Sequence, residues 1–269
     1  MEPKTNLVPQ DKKVSILPKF NENALDDAQG IAFEAWSASS QQKRITLAKK
    51  ALRISPYCTD AYNILAESSQ KLEECIALYA QGVDVAKKAF GKRFFKEYEG
   101  VFWGMMETRP FMRAMEGLAD CLWEAGERSK AIATYQEMLR LNPNDNQGVR
   151  YLLINWLIAE SEFEAAEKLL SDYRNDCALM LFSAALLYFK QARKVKARNA
   201  LKKAMESNPH MPEYLLNPNK KYIPESKAEK MFGGYQLGHP SEAEEYRSLA
   251  GDTWRETPGA LEWLRESLS

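Results

Sequence analysis

Residues 113–123, Arg113-Ala114-Met115-Glu116-Gly117-Leu118-Ala119-Asp120-Cys121-Leu122-Trp123, together with the run that ends at Leu141-Asn142-Pro143, decide the fold of this chain. Counted back from Pro143 as the closing proline of a repeat of about 34 residues, the unit opens at Met112. Leu118, Ala119 and Leu122 fall on one face of a first helix, Gly126-Glu127 make a turn, and Ala131, Tyr135 and Met138 line the facing side of a second. Small side chains at Ala119 and Ala131 let the two helices approach closely, and Tyr135 fills the space beside them. Such a pair cannot bury its apolar face alone, so one clear unit predicts neighbours.

The neighbours are present. With Pro56 in the closing position, Ala32, Ala35 and Trp36 belong to a first helix, and Ala48 and Ala51 face inward from a second. Residues 61–67 open the next unit in register. Its returning helix, about 76–89, departs from the pattern at Gly82, where an aromatic is usual. Beyond Pro143, residues 148–156 pair with 163–170, with Ala165 at the helix crossing. A last unit closes on Pro209, with Ala185 and Tyr188 facing Ala197, Leu201 and Ala204. The spacing resembles the tetratricopeptide repeat (TPR). It predicts an all-α, right-handed TPR-type superhelix, or solenoid, of about five helical pairs.

A solenoid removes the size limit on a single core, because each repeat contacts only its neighbours. Lys plus Arg and Asp plus Glu both number 37, a formal net charge of zero, so bulk electrostatics gives no reason to expect nucleic acid or an anionic membrane as partner. The cysteines Cys58, Cys75, Cys121 and Cys177 form no Cys-x-x-Cys pair, and the only histidines are His210 and His239. These are poor ingredients for a zinc site, and free buried thiols suit a reducing compartment. No signal-peptide core precedes the repeats, and the longest apolar run, residues 151–159, falls well short of the ~20 residues a spanning helix needs. The expectation is a cytoplasmic chain.

Three regions follow from composition. Residues 1–25 are polar, proline-bearing and aperiodic, and read as a flexible lead. Residues 26–209 form the array, with an insertion at 87–110 that extends the preceding helix or adds a turn. Thr108 caps the following helix, with Pro110 in its first turn. Residues 210–269 form a capping tail that is irregular to about 240. Ser241-Glu242-Ala243-Glu244 then opens a helix as a capping box, with Ser241 bonding forward and Glu244 reaching back. Ala243, Tyr246, Leu249, Ala250 and Trp254 share its apolar face, and a short helix follows Pro258-Gly259.

No catalytic constellation stands out. The chain has no Gly-rich phosphate loop, no Gly-x-Ser-x-Gly and no His-Glu-x-x-His, and no cofactor or metal is expected. Lys87-Lys88 and Lys92-Arg93, interleaved with Phe90, Phe94 and Phe95, read as an amphipathic helix rather than a stacking platform for nucleic acid. Asn144, Asp145 and Asn146 read as a turn that caps the next helix. Arg113, Glu116, Asp120, Trp123, Gln147, Arg150 and Tyr151 are the candidate partner-binding residues, an aromatic with mixed charges on the groove side of the central repeats. An alternative for Arg113 and Arg150 is that each holds a buried carboxylate such as Glu116 or Asp145.

From about Ala61 onward the chain resembles a narrower group, the suppressor of tumorigenicity protein 7 family and its shorter bacterial relatives. The resemblance lies in residues 107–110 through 142–153 (Asn142-Pro143-Asn144-Asp145-Asn146-Gln147-Gly148-Val149-Arg150-Tyr151) and in Asn208-Pro209-His210-Met211-Pro212-Glu213-Tyr214-Leu215-Leu216. A weaker match in the tail includes Gly238, Tyr246 and Trp254. It implies the helical-repeat fold and little more of function. The eukaryotic members are membrane proteins with N-terminal apolar segments, which this sequence does not show. The expected function is a protein-interaction scaffold that holds a peptide or helix of a partner protein in the groove. The alternatives are a hydrolase or transferase using the Arg/Asp/Tyr cluster, or a structural subunit of an oligomer.

Overall fold

Helical periodicity becomes helices throughout. The structure, a computed structural model, describes residues 17–174, 176–224 and 234–268. Among the described residues there are thirteen α-helices and two short 3-10 turns, and no strand. The chain divides into two units, the first ending at Phe94 and the second beginning at Phe95.

The first unit is held together by alanines. Helices α1 (Glu22–Trp36) and α2 (Gln41–Ile54) are capped by Asn21 and Ser40, whose side chains accept from Ala24 N and Lys43 N. They meet through Ala28, Ala32, Ala35, Ala48 and Ala51, all fully buried, and α3 (Thr59–Glu67) adds Ala61 and Ile64 to the same cluster. Buried Asp60 is satisfied by two amides, Gln29 Nε2 at 2.7 Å and Asn63 Nδ2 at 3.1 Å. That polar tie fixes α1 against α3. Helix α4 (Leu72–Glu97) packs Val85 on Tyr62 of α3 and is broken at Gly91, whose φ of 72° leaves the helical region.

In the second unit the insertion folds into two 3-10 turns, Phe102–Gly104 and Met106–Thr108, and Phe95, Phe102 and Phe111 pack together beneath them. Thr108 stands at the cap position of α5 (Arg109–Glu124) but does not cap it. Its hydroxyl donates to the carbonyls of Phe102 and Met105, so it ties the insertion down instead. Helix α6 (Arg128–Leu141) returns against α5 through Ala119, Ala131, Tyr135 and Met138. The pairs α7 (Val149–Ala159) with α8 (Phe163–Asp172), and α9 (Ala178–Lys190) with α10 (Lys194–Ser207), complete five helical pairs along the chain. The fold is all-α and of the tetratricopeptide type. Ala166, fully buried, takes the crossing position expected of Ala165, one residue out of phase. Each turn between paired helices in this unit uses one left-handed residue, Gly126, Ser161 or Ala192.

In the tail, the two expected helices form, and the departure lies at the start of the longer one. After α11 (Met211–Leu216), helix α12 (Pro240–Glu256) lies against α7, α9 and α11, and α13 (Ala260–Glu266) against α9 and α11. The predicted capping box is not formed. Helix α12 begins two residues early, with His239 rather than Ser241 at the cap and Pro240 as its first residue, which shifts Glu242 rather than Glu244 into the reaching-back position. The Glu242 carboxylate, fully buried, accepts from Gly238 N at 2.7 Å and from Asn208 Nδ2 at 2.9 Å. His239 supplies the cap, its Nδ1 accepting from Ser241 N, while Glu244 pairs with Arg247.

Candidate partner-binding site

Four of the candidate residues, Arg113, Glu116, Asp120 and Trp123, follow one another along α5 at spacings of three, four and three residues, which places them on one stripe. The other three, Gln147, Arg150 and Tyr151, come from the loop after α6 and the first turn of α7. That loop turns back because Asp145 takes a left-handed conformation, at φ 47°. Its carboxylate then accepts from Val149 N at 2.9 Å and Arg150 N at 3.0 Å, capping α7 from four residues ahead of its first residue.

Arg150 is committed on both sides. Its Nη1 donates to Asp145 at 2.8 Å and its Nε to Asp176 at 2.6 Å, with the guanidinium 4.0 Å from the centre of the Tyr151 ring. Asp176 also accepts from Cys177 N, at 2.7 Å, at the start of α9. One guanidinium therefore links the carboxylate that caps α7 to the one just ahead of α9, two successive first helices. Tyr151 completes the link, accepting from Arg150 Nη2 and donating to Asp176 at 3.1 Å. The Asp145 side chain is 1% exposed, so this is a desolvated pair. Burial works against the Arg150 charge, and the bonds to Asp176 and Asp145 more than offset it, so its pKa rises. The Arg150 bond correspondingly holds Asp176 below the ordinary carboxylate value against burial.

Glu116 and Asp120 sit beside this tie. Gln147 Nε2 donates to Glu116, and the Tyr135 hydroxyl donates to Asp120. Burial pushes the Glu116 carboxyl above its ordinary 4.5, with the Gln147 bond pulling the other way. Asp120 retains solvent access, and the enclosure of its carboxyl raises it above 3.8, against the Tyr135 bond. Trp123 stacks on Trp156 of α7 with centroids 4.4 Å apart, and Tyr135 also stacks on Trp156, at 4.6 Å. Arg128 covers Trp123 at 3.8 Å. Trp123 is thus part of the packing between repeats and also the end of the stripe.

Glu116, Asp120, Tyr135 and Gln147 face an open cleft of about 420 Å³, closed on its far side by Tyr235, Glu245 and Leu249 of the tail. Asp176 and Tyr235 were not singled out from sequence. Asp176-Cys177 immediately before the apolar run of α9 is a helix-start signal that would have found the first. Nothing local to Tyr235 announces its place. Among the described residues no group of His, Cys, Asp and Glu could hold a metal, and no helix is long and apolar enough to cross a membrane.

Two family models described as tetratricopeptide repeat match residues 75–146 and 122–176. A Drosophila melanogaster protein named Protein ST7 homolog is 23% identical over 256 residues, covering 86% of this chain and 46% of its own length. The chain carries tetratricopeptide repeats and resembles the ST7 proteins. A Danio rerio relative, Suppressor of tumorigenicity 7 protein-like, is 23% identical over 287 residues, covering 96% of this chain and 47% of its own length. The chain spans about half the length of the curated relatives it matches. A solved structure of Pseudomonas aeruginosa pilF aligns with a TM-score of 0.34 and 17% identity, over 74% of this chain and 94% of that one.

Proposed function

We propose that this chain is a protein-interaction scaffold whose open cleft, formed by α5, the start of α7 and the edge of α12, takes a segment of a partner protein. Tetratricopeptide repeats are in general protein-interaction modules, and the first helices of successive repeats carry the recognition face. The observation that carries the reading is the polar stripe of α5. Most of α7 and α9 is buried under neighbours, whereas Glu116, Asp120 and Gln147 stay at the rim of an open cleft. Arg113 and Trp123 extend the contact along α5, while Arg150 and Tyr151 form a rigid wall, held by Asp145 and Asp176.

The test uses the replacement Glu116→Gln with Asp120→Asn in the full chain. Burial already disfavours both charges, so the amides should fold as well as the carboxylates. Tagged native and variant chains are purified from their own cells, and the co-purifying proteins are identified. A partner held by the native chain and lost by the variant, at a melting temperature no lower than the native one, is the expected result. Retention of every partner by the variant overturns the cleft as the site.

A further inference from the structure

Apart from Arg150, Asn155, Ser183 and Lys190, the side chains of α7, Val149-Arg150-Tyr151-Leu152-Leu153-Ile154-Asn155-Trp156-Leu157-Ile158-Ala159, and of α9, Ala178 through Lys190, are apolar or aromatic on every side. A repeat helix packed on its partner and its two neighbours keeps one open face, and that face is ordinarily polar. In α5 it is, as Arg113, Glu116 and Asp120 show. In α7 and α9 the fourth face is apolar as well, and α12 covers it.

The fit of α12 on this face is detailed. Ala243, Tyr246, Ala250 and Trp254, at spacings of three or four, are all fully buried. The two alanines admit a close approach, and Tyr246 packs on Phe182 of α9 with centroids 5.8 Å apart. A chain of side-chain bonds sets the register. Ser183 Oγ lies 3.2 Å from Asn155 Oδ1 of α7 and 3.1 Å from the Tyr246 hydroxyl, and Trp254 Nε1 donates to that hydroxyl at 2.9 Å. Tyr and Trp eight residues apart therefore read one serine between two repeat helices. Described backbone on both sides of α12, at residues 234–239 and at Thr257-Pro258-Gly259, is not helical, so the helix begins and ends in turns.

We propose that α12 is a self-supplied occupant of the chain's interaction face, and that a partner's amphipathic helix carrying a Tyr and a Trp eight residues apart takes its seat. This deepens the scaffold reading and rests on it, since Glu245 and Leu249 of α12 line the cleft and a helix in the same seat would line it in their place. In the absence of partner the tail keeps the apolar face of α7 and α9 out of water. An exposed face of that kind would be an aggregation liability.

The probe is a fluorescent peptide of residues 238–268, titrated into the full chain and read by anisotropy. The full chain carrying Tyr246→Phe keeps its own α12 but loses the bonds to Ser183 and Trp254, so a larger fraction of molecules offers a vacant face. Apparent affinity scales with that fraction, and the peptide should bind the variant about tenfold more tightly than the native chain. A peptide with Trp254→Ala should bind neither. Hydrogen exchange on the complex should show loss of protection in the chain's own α12. Should Tyr246→Phe fail to fold, Trp254→Phe, which keeps a ring and drops the indole N–H, serves in its place. Equal affinity for native and loosened chains, no binding to either, or binding without deprotection of α12 overturns the proposal. Loss of partners on changing Glu116 and Asp120 alongside any of these outcomes leaves the cleft reading standing and sinks only the exchange of α12.

Discussion

Replacing Arg150 by Met removes the guanidinium while keeping an unbranched side chain against the Tyr151 ring. In the native chain that guanidinium compensates two carboxylates, Asp145 at 2.8 Å and Asp176 at 2.6 Å. Breaking a buried pair by deleting one partner typically costs about 3–5 kcal/mol, because the remaining charge is left uncompensated. Two features reduce that figure here. Asp145 keeps its bonds from Val149 N and Arg150 N, and the Asp176 side chain is 15% exposed and can recover some hydration. The expected loss is therefore about 2–3 kcal/mol, just below the range for a fully buried pair. Urea unfolding followed by tryptophan fluorescence reads it directly, because Trp123 and Trp156 stack within the same unit. Adding Asp145→Asn to Arg150→Met should recover up to about 1 kcal/mol by removing the stranded charge, while the amide oxygen keeps one of the two capping bonds. A loss below about 0.5 kcal/mol in the single variant, the level of an ordinary surface change, would refute the tie and return Arg150 to the pool of ligand-binding groups.

Acidification should stabilise the second unit before it destabilises it. Glu116 and Asp120 are raised in the folded state, so their contribution is fully present below their ordinary values of 4.5 and 3.8 and is lost as pH rises through the raised values. Asp176 is lowered, and its contribution disappears as pH falls below 3.8 through its depressed value. Unfolding midpoints from pH 7 down to pH 3 should rise and then fall, and Glu116→Gln with Asp120→Asn should abolish the rise; a native profile that only falls contradicts the assignment. Ala192→Gly should stabilise the chain by roughly 1 kcal/mol, since Ala192 holds φ 58° in an exposed turn where the equivalent residue of the α5–α6 turn is Gly126. An unchanged or lower urea midpoint would show that this turn is unstrained. Cys58 is fully buried and its thiol is pushed up to about 12 by that burial, so alkylation at pH 8 should modify it only after denaturant is added. Native-state labelling at the denatured rate, read by mass spectrometry, contradicts the packing of the first unit.

The repeats were legible because their signal is periodic. Alanines at the helix crossings, prolines after each second helix and apolar residues three and four apart report on contacts between near neighbours in sequence, which is where a repeat array keeps most of its contacts. Ala165 was misplaced by one residue because Ala165 and Ala166 are both small and only the crossing geometry separates them. Asp145 was readable as a cap, since its bonds are local. The Arg150–Asp176 bond was not, because it joins residues 26 apart whose pairing depends on how α7 sits on α9. That the tail caps the repeats was readable from its apolar face, but that α12 reaches α7 as well as α9 was hidden for the same reason, although its trace was in view. The run from Tyr151 to Ala159 has hardly a polar side, and an amphipathic helix that faced solvent would have one. A helix apolar all round signals a further layer above it, and in this chain the layer comes from more than eighty residues downstream.

The cleft as partner site is tested most directly by photo-crosslinking from defined positions in the full chain, in its own cells. A benzophenone side chain is placed at Asn146 or Glu245, both exposed at the cleft, and at Lys168 or Lys202, exposed on the second helices α8 and α10. The same discrete protein should be captured from Asn146 and from Glu245, and from neither lysine position. Capture from all four positions alike, or from none at the cleft, contradicts the account.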